Sequence, residues 1–223
     1  MSDEQKLLKN ELLKDAKKEN LEWANSEIKY FSPSSSRYLK YGDFIVCEEK
    51  ADQKIDVFSV IGTDNFNFLA NKTWVTALDS RHEGKMLGCL REYKEKPEYY
   101  SKKIHQENFY YNTCDGNQFY ISGGGNHRNT MAKFIFSKTG QRYISGVTIY
   151  YHKIDLDLYK AYRRLKFYFR NKNITIFTKK YKNKISVNLT LNSKDYQFNC
   201  TQEIYSFLAS QKSLIKRVLS LIC

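Results

Sequence analysis

Three consecutive glycines, Gly123-Gly124-Gly125, interrupt the most regular stretch of this chain and restrict what it can fold into. Residues 118–122 before them read as a strand. Residues 127–136 after them read as a helix, with Met131, Phe134 and Ile135 on one apolar stripe and Gly140 suited to the position just past its end. Glycine is costly inside either element, so the run reads as a turn that passes strand directly into helix. Such a turn aims unpaired backbone N–H groups at one spot, and the helix macrodipole adds positive potential there. A glycine leaves room for a ligand to approach the backbone, which is a common recipe for gripping phosphate. The first side chains past the glycines are Asn126, His127 and Arg128. Asn126 suits an N-cap, His127 can donate to an oxyanion, and Arg128 can grip phosphate with two donors. The alternative is a plain glycine turn with exposed polar neighbours. No Lys-Ser or Lys-Thr follows, so this is not a Walker A loop, and the spacing is not that of the dinucleotide-binding glycine motif.

The surrounding pattern implies an α+β protein. A chain of 223 residues suits one large domain or one domain with appendages. Residues 3–25 read as a helix. The Ser- and Pro-containing stretch 32–36 breaks the chain, and residues 44–48 and 55–61 read as two strands of a hairpin. Residues 74–78 read as a short strand and 85–94 as a helix stopped by Pro97. Residues 109–112 and 118–122 flank a turn at Cys114-Asp115-Gly116-Asn117, and 145–152 alternates as a strand. A helix over 155–169 precedes a tail of three short strands (174–178, 185–191, 196–199) and an amphipathic helix over 201–222. The expected organisation is an N-terminal helix and hairpin (1–71), a central phosphate-binding domain (72–171) and a C-terminal basic βββα module (172–223).

Charge narrows the partners. Lys and Arg number 37 against 24 Asp and Glu, a formal net charge of +13. That excess favours polyanions, nucleic acid above all, although an AT-rich genome or solubility also accounts for lysine. Arg163, Arg164, Lys166 and Arg170 alternate with Tyr159, Tyr162, Phe167 and Tyr168 along one helix, and Lys179 and Lys180 follow in the tail. Cations neutralise backbone phosphates and aromatic faces stack on unpaired bases, so these six cations are the candidate nucleic-acid contacts. The alternative is a packed aromatic face with solvated cations opposite. Five widely spaced cysteines without a CxxC pair argue against a disulfide framework or zinc knuckle, and four scattered histidines argue against a zinc hydrolase. No apolar run approaches the ~20 residues that span a bilayer. The charged N-terminus lacks a signal-peptide core, so a cytoplasmic protein without a membrane partner is expected.

The segment Gln118-Phe119-Tyr120-Ile121-Ser122-Gly123-Gly124-Gly125-Asn126-His127-Arg128-Asn129-Thr130-Met131-Ala132 resembles the signature turn of the ParB/sulfiredoxin superfamily, and the order of elements over about residues 72–155 is similar too. Sulfiredoxins carry Gly-Gly-Cys-His-Arg there, the cysteine being the catalytic thiol. Asn126 stands in its place, so sulfinic-acid reduction is not expected. The resemblance implies a ParB/sulfiredoxin-like central domain whose phosphate grip is Gly124, Gly125, His127 and Arg128; Gly123 and Asn126 in the same turn complete the candidate phosphate-binding set. ParB-type members bind and slowly hydrolyse CTP while clamping on DNA; other relatives phosphorylate small molecules or are described as DNases. It also implies contributions from the preceding helix. Arg81 and Lys85 would meet phosphates, and Glu83, ahead of Asp79 (which suits an N-cap equally well), would orient water or hold Mg²⁺; the alternative is a solvated helix start with Glu83 near its positive end. The expected cofactor is a nucleoside triphosphate, ATP or CTP, with Mg²⁺ held mainly by its phosphates. The expected partners are that nucleotide and nucleic acid, DNA first, with a homodimer admitted. The first functional expectation is a nucleotide-binding, nucleic-acid-associated protein that hydrolyses NTP or cleaves phosphodiesters, with Glu83, His127 and Arg128 as its catalytic set. The second is a non-catalytic DNA-binding or interaction protein serving a plasmid or phage in partition, regulation or counter-defence. A small-molecule kinase is third.

Overall fold

The computed structural model describes residues 3–32, 41–79, 83–100, 109–170, 174–181 and 184–222. The chain divides into two compact units, one formed by Met1–Ser32 with Glu49–Tyr151 and the other by Pro33–Glu48 with His152–Cys223. The class is α+β. No helix among the described residues is long and apolar enough to cross a membrane.

The first unit is built on a mixed sheet. Its helices are α1 (Asp3–Lys18), α2 (Glu22–Asn25), α3 (Trp74–Leu78), α4 (Glu83–Glu95) and α5 (Asn126–Thr139). Its strands are β1 (Lys29–Tyr30), β2 (Ile45–Asp56), β3 (Val60–Thr63), β4 (Tyr110–Thr113), β5 (Phe119–Ser122) and β6 (Tyr143–Ile154), in the order β1-β3-β5-β4-β6-β2. The chain passes between the two units within β2 and again within β6. β1 with β3, β3 with β5, and β4 with β6 pair in parallel, while β4 and β5 form an antiparallel hairpin. That hairpin turns because the Asp115 carboxylate accepts the N–H groups of Asn117 and Gln118, both at 2.9 Å, and Gly116 takes φ 76°. These bonds hold the Asp115 carboxyl below its ordinary range despite opposing desolvation.

α5 carries the chain from β5 to β6 past the intervening β4 and is the central helix of the unit, packed on α1, α3 and α4. It was expected to bury one apolar stripe. Instead Asn126, Asn129, Thr130 and Lys133 are buried along with Met131, Ala132, Phe134, Ile135 and Phe136. Trp74, Leu78, Met86, Leu90, Tyr100 and Ile121 complete the interior around it.

Several local expectations are corrected. The hairpin read from residues 44–48 and 55–61 does not form. Residues 45–56 are one strand whose middle is solvent-exposed, so its polar composition imitates a turn. Residues 74–78 are helix rather than strand. Thr73 and Thr76 cap each other's N–H groups (3.2 and 3.0 Å), and Trp74, Val75, Ala77 and Leu78 are all buried. A short apolar run buried nearly all round carries no period by which strand and helix can be told apart. The helix read over 3–25 breaks at Asn20, which takes φ 48° between α1 and α2. Asp79 caps the C-terminus of α3, not the start of a helix.

The second unit contains α6 (Leu156–Tyr168), the antiparallel sheet β7 (Thr175–Tyr181), β8 (Lys184–Leu191) and β9 (Lys194–Phe198), and α7 (Thr201–Ile222). The βββα order of the tail is as expected, but α6 belongs with it, so a boundary between residues 171 and 172 does not separate two bodies. Leu158, Ala161 and Leu165 recur at helical spacing and pack with Ile185, Val187, Leu189, Phe198, Ile204 and Leu208. The sequence 1–71 likewise contributes β1 and β3 to the same sheet as the glycine turn rather than a separate N-terminal part.

Candidate functional site

The glycine turn sits where β5 ends and α5 begins. Gly123 has φ 66° and Gly125 has φ 90°, both in the left-handed region that glycine enters without steric cost. Gly125 is the N-cap, with no side chain bonded to it, and no acidic residue occupies the first turn of this 14-residue helix. Asn126, expected as the cap, is instead the first helical residue. Its amide nitrogen lies 3.5 Å from the Gly123 carbonyl, and its Oδ1 is buried without a hydrogen-bond partner among the described residues. Asn129 Oδ1 is in the same condition, while its nitrogen donates to the Tyr111 hydroxyl at 2.6 Å. Burial pushes the Tyr111 phenol up, so it stays neutral, and the Asn129 bond opposes that only in part.

Asp64, just beyond β3, is the residue that sequence reasoning missed. Its carboxylate accepts from the Ser122 hydroxyl at 2.7 Å, the Gly123 N–H at 3.0 Å and the Asn112 amide at 3.2 Å. The first amide of the turn is therefore satisfied by the protein's own anion, and the turn's shape is held by a strand 58 residues away in sequence. The only local hint was an acidic residue directly after an apolar strand, Val60-Ile61-Gly62-Thr63-Asp64.

A cleft of about 250 Å³ opens between α4 and the turn, lined by Lys85, Gly88, Cys89, Glu92, Gly125, His127 and Arg128. Arg128 reaches across it to Glu92, with Nε 3.3 Å from Oε2 and Nη2 3.5 Å from Oε1. The Arg128 carbonyl accepts from the Tyr100 hydroxyl at 3.4 Å. The His127 ring meets Phe68 edge-on, with centroids 5.6 Å apart. Burial pushes the Cys89 thiol up to about 11; Glu92 adds to the rise and Arg128 opposes it, so this sulfur is a protonated thiol and not a nucleophile at neutral pH.

Of the residues expected at a phosphate site, Lys85, Gly125, His127 and Arg128 do line one cleft. Arg81 lies outside the described residues, as does His82. Glu83 opens α4, but its side chain lies outside the described part. Among the described residues, the carboxylate that faces the cleft is Glu92, about two and a half turns further along α4. Among the described residues, no group of three or more His, Cys, Asp or Glu side chains is placed to hold a metal ion.

The six candidate nucleic-acid contacts separate in the second unit. Arg163, Arg164 and Arg170 line a cleft of about 860 Å³ with Phe167, Tyr168, Tyr205, Leu208, Ala209 and Lys212. Lys166 lies over the Tyr162 ring at 4.9 Å and Lys179 over Phe177 at 5.5 Å. Lys180 donates to the Ile45 carbonyl, and with burial as the larger cause it lowers the pKa of His152. These three cations therefore do not line the cleft.

Comparison with known proteins finds no matching family model, no matching curated protein and no matching solved structure. Chemically, the first-unit cleft offers a helix N-terminus without a side-chain cap and, among the described residues, one carboxylate and three side chains able to donate to an oxyanion.

Proposed function

We propose that the first unit is a ParB/sulfiredoxin-like phosphate-binding module, and that the protein couples a nucleoside triphosphate there to a nucleic acid. The observation that carries this reading is the α5 N-terminus. It is capped only by the left-handed Gly125, has no acid in its first turn, and opens beside Lys85, His127 and Arg128. Backbone amides, helix dipole and cationic side chains then converge on one anion. A cleft of about 250 Å³ is smaller than the ~300–1,000 Å³ of whole-ligand sites, so it suits the phosphate tail, with sugar and base outside. Glu92 takes the part foreseen for Glu83. It holds Arg128 until phosphate displaces it, and it can then orient water or a phosphate-held Mg²⁺ for hydrolysis.

The test is a thermal-shift screen of wild type and Arg128→Ala against ATP, CTP, GTP and inorganic tripolyphosphate, with and without Mg²⁺. A ligand at about 100 times its Kd stabilises a fold by about 2.7 kcal/mol. A shift with one nucleotide that is lost in Arg128→Ala supports the reading. No shift with any of them, both variants being folded, refutes it.

A second reading is favoured by Asp64 and Glu92. The Gly123 amide already has a carboxylate, and Arg128 already has an ion pair. The turn would then be a structural joint of a non-catalytic nucleic-acid-binding protein. Nucleic-acid binding by a chain that gives no nucleotide shift is its signature.

A further inference from the structure

The cleft between α6 and α7 has a composition that general charge attraction to a polyanion does not need. Its described lining holds four cations, Arg163, Arg164, Arg170 and Lys212, three aromatic rings, Phe167, Tyr168 and Tyr205, and no carboxylate. Phe167 is 67% exposed, although a phenyl ring at a helix surface ordinarily turns inward. The Arg170 guanidinium lies 4.1 Å from its ring centroid, and that of Arg164 lies 5.3 Å from Tyr205. These pairs set guanidinium groups over aromatic faces in the cleft, so flat apolar and flat cationic surfaces meet there. Tyr168 lines the same wall.

We propose that this cleft binds single-stranded nucleic acid, stacking an unpaired base on Phe167 while Arg163, Arg164, Arg170 and Lys212 neutralise the adjoining phosphates. This rests on the reading that the protein contacts nucleic acid, and adds to it the strand state and the site. A duplex keeps its base faces stacked inside, so it could use the cations but not the exposed ring. An unpaired strand uses both, and stacking is tolerant of sequence because every base has a π-face. An acidic peptide would satisfy the cations, but it has no flat faces to match Phe167 and the guanidinium planes.

The experiment measures anisotropy of a labelled oligothymidylate of about 15 nucleotides, long enough for one stacking site, against the full chain. The same strand annealed to its complement and a labelled polyglutamate peptide are titrated in parallel. Variants are Phe167→Ala, which removes an exposed ring and so spares the core, and Arg164→Ala, also at the surface. The expected result is single-strand binding that Phe167→Ala weakens by about fivefold or more, with duplex binding unmoved by that change. Arg164→Ala should weaken both and lower the salt dependence. Equal affinity for the two strand states, with Phe167→Ala neutral, overturns the cleft proposal and leaves the nucleic-acid reading standing. Binding of neither strand state overturns both. Polyglutamate binding that is sensitive to Phe167→Ala, in the absence of oligonucleotide binding, overturns the proposal in favour of an acidic protein partner.

Discussion

Replacing Lys133 by Met should stabilise the protein at neutral pH and remove a rise in stability above it. Lys133 lies in the middle of α5 and is 1% exposed. Its ammonium sits over Trp74 at 4.4 Å and Trp23 at 5.4 Å, and its electrostatic help comes from Asp56. Burial outweighs that help and pulls its pKa from 10.5 down to about 7. The unfolded chain therefore binds more protons than the folded one between these values, and stability falls as pH drops from 10.5 through 7. A depression of that size costs the fold about 4 kcal/mol at pH 7. Cation–π attraction to two rings returns ~1–2 kcal/mol, so Met, of similar length and without the charge, should gain about 2 kcal/mol.

The pH window can be chosen so that this lysine dominates. Cys89 has a pKa raised from 9.0 to about 11, so its stabilising contribution is present below 9.0 and lost as pH rises through 11. His152 is lowered from 6.5 and titrates beneath the window. Urea unfolding of the wild type from pH 7 to about 8.5 should therefore show a gain of about 2 kcal/mol, absent in Lys133→Met. Trp23 and Trp74 are the chain's two tryptophans, so their fluorescence should titrate with a midpoint near that of Lys133. A wild type whose stability is flat over this window, or a Met variant less stable than wild type with the same pH slope, would refute the argument.

Two further substitutions probe the scaffold of the turn. Asp64→Asn removes the charged acceptor shared by Ser122, Gly123 and Asn112 and should cost about 2 kcal/mol by urea unfolding, with any triphosphate shift reduced as the turn loosens. Gly62→Ala would place a Cβ 1.9 Å from the Lys29 carbonyl oxygen, so β1 must part from β3; a loss of ~1–3 kcal/mol in the same assay is expected, and an unchanged midpoint would contradict the close approach.

The elements that the sequence itself determined are those whose cause is local. The strand ending at Ser122, the turn at Gly123–Gly125 and the close of α5 at Gly140 follow from glycine's access to positive φ and from side-chain period. The Asp115 turn, β6, α6 and the three tail strands follow for the same reason: their signals lie within a few residues of one another. Tertiary structure decided the rest. β2 is an edge strand that its solvated middle disguises as a turn, and residues 74–78 are helix because burial all round leaves no amphipathic pattern to read. Asp64 reaches Gly123, and Glu92 reaches Arg128, across 59 and 36 residues of chain, and nothing local names the partner of either. Lys133 lies within α5 beside the apolar stripe, and it is the packing of α1, α3 and α4 on that helix that buries it. Backbone conformation answers to neighbours along the chain. Which charges meet, and which amides remain to hold an anion, depends on contacts between elements far apart in sequence, and only packing brings those together.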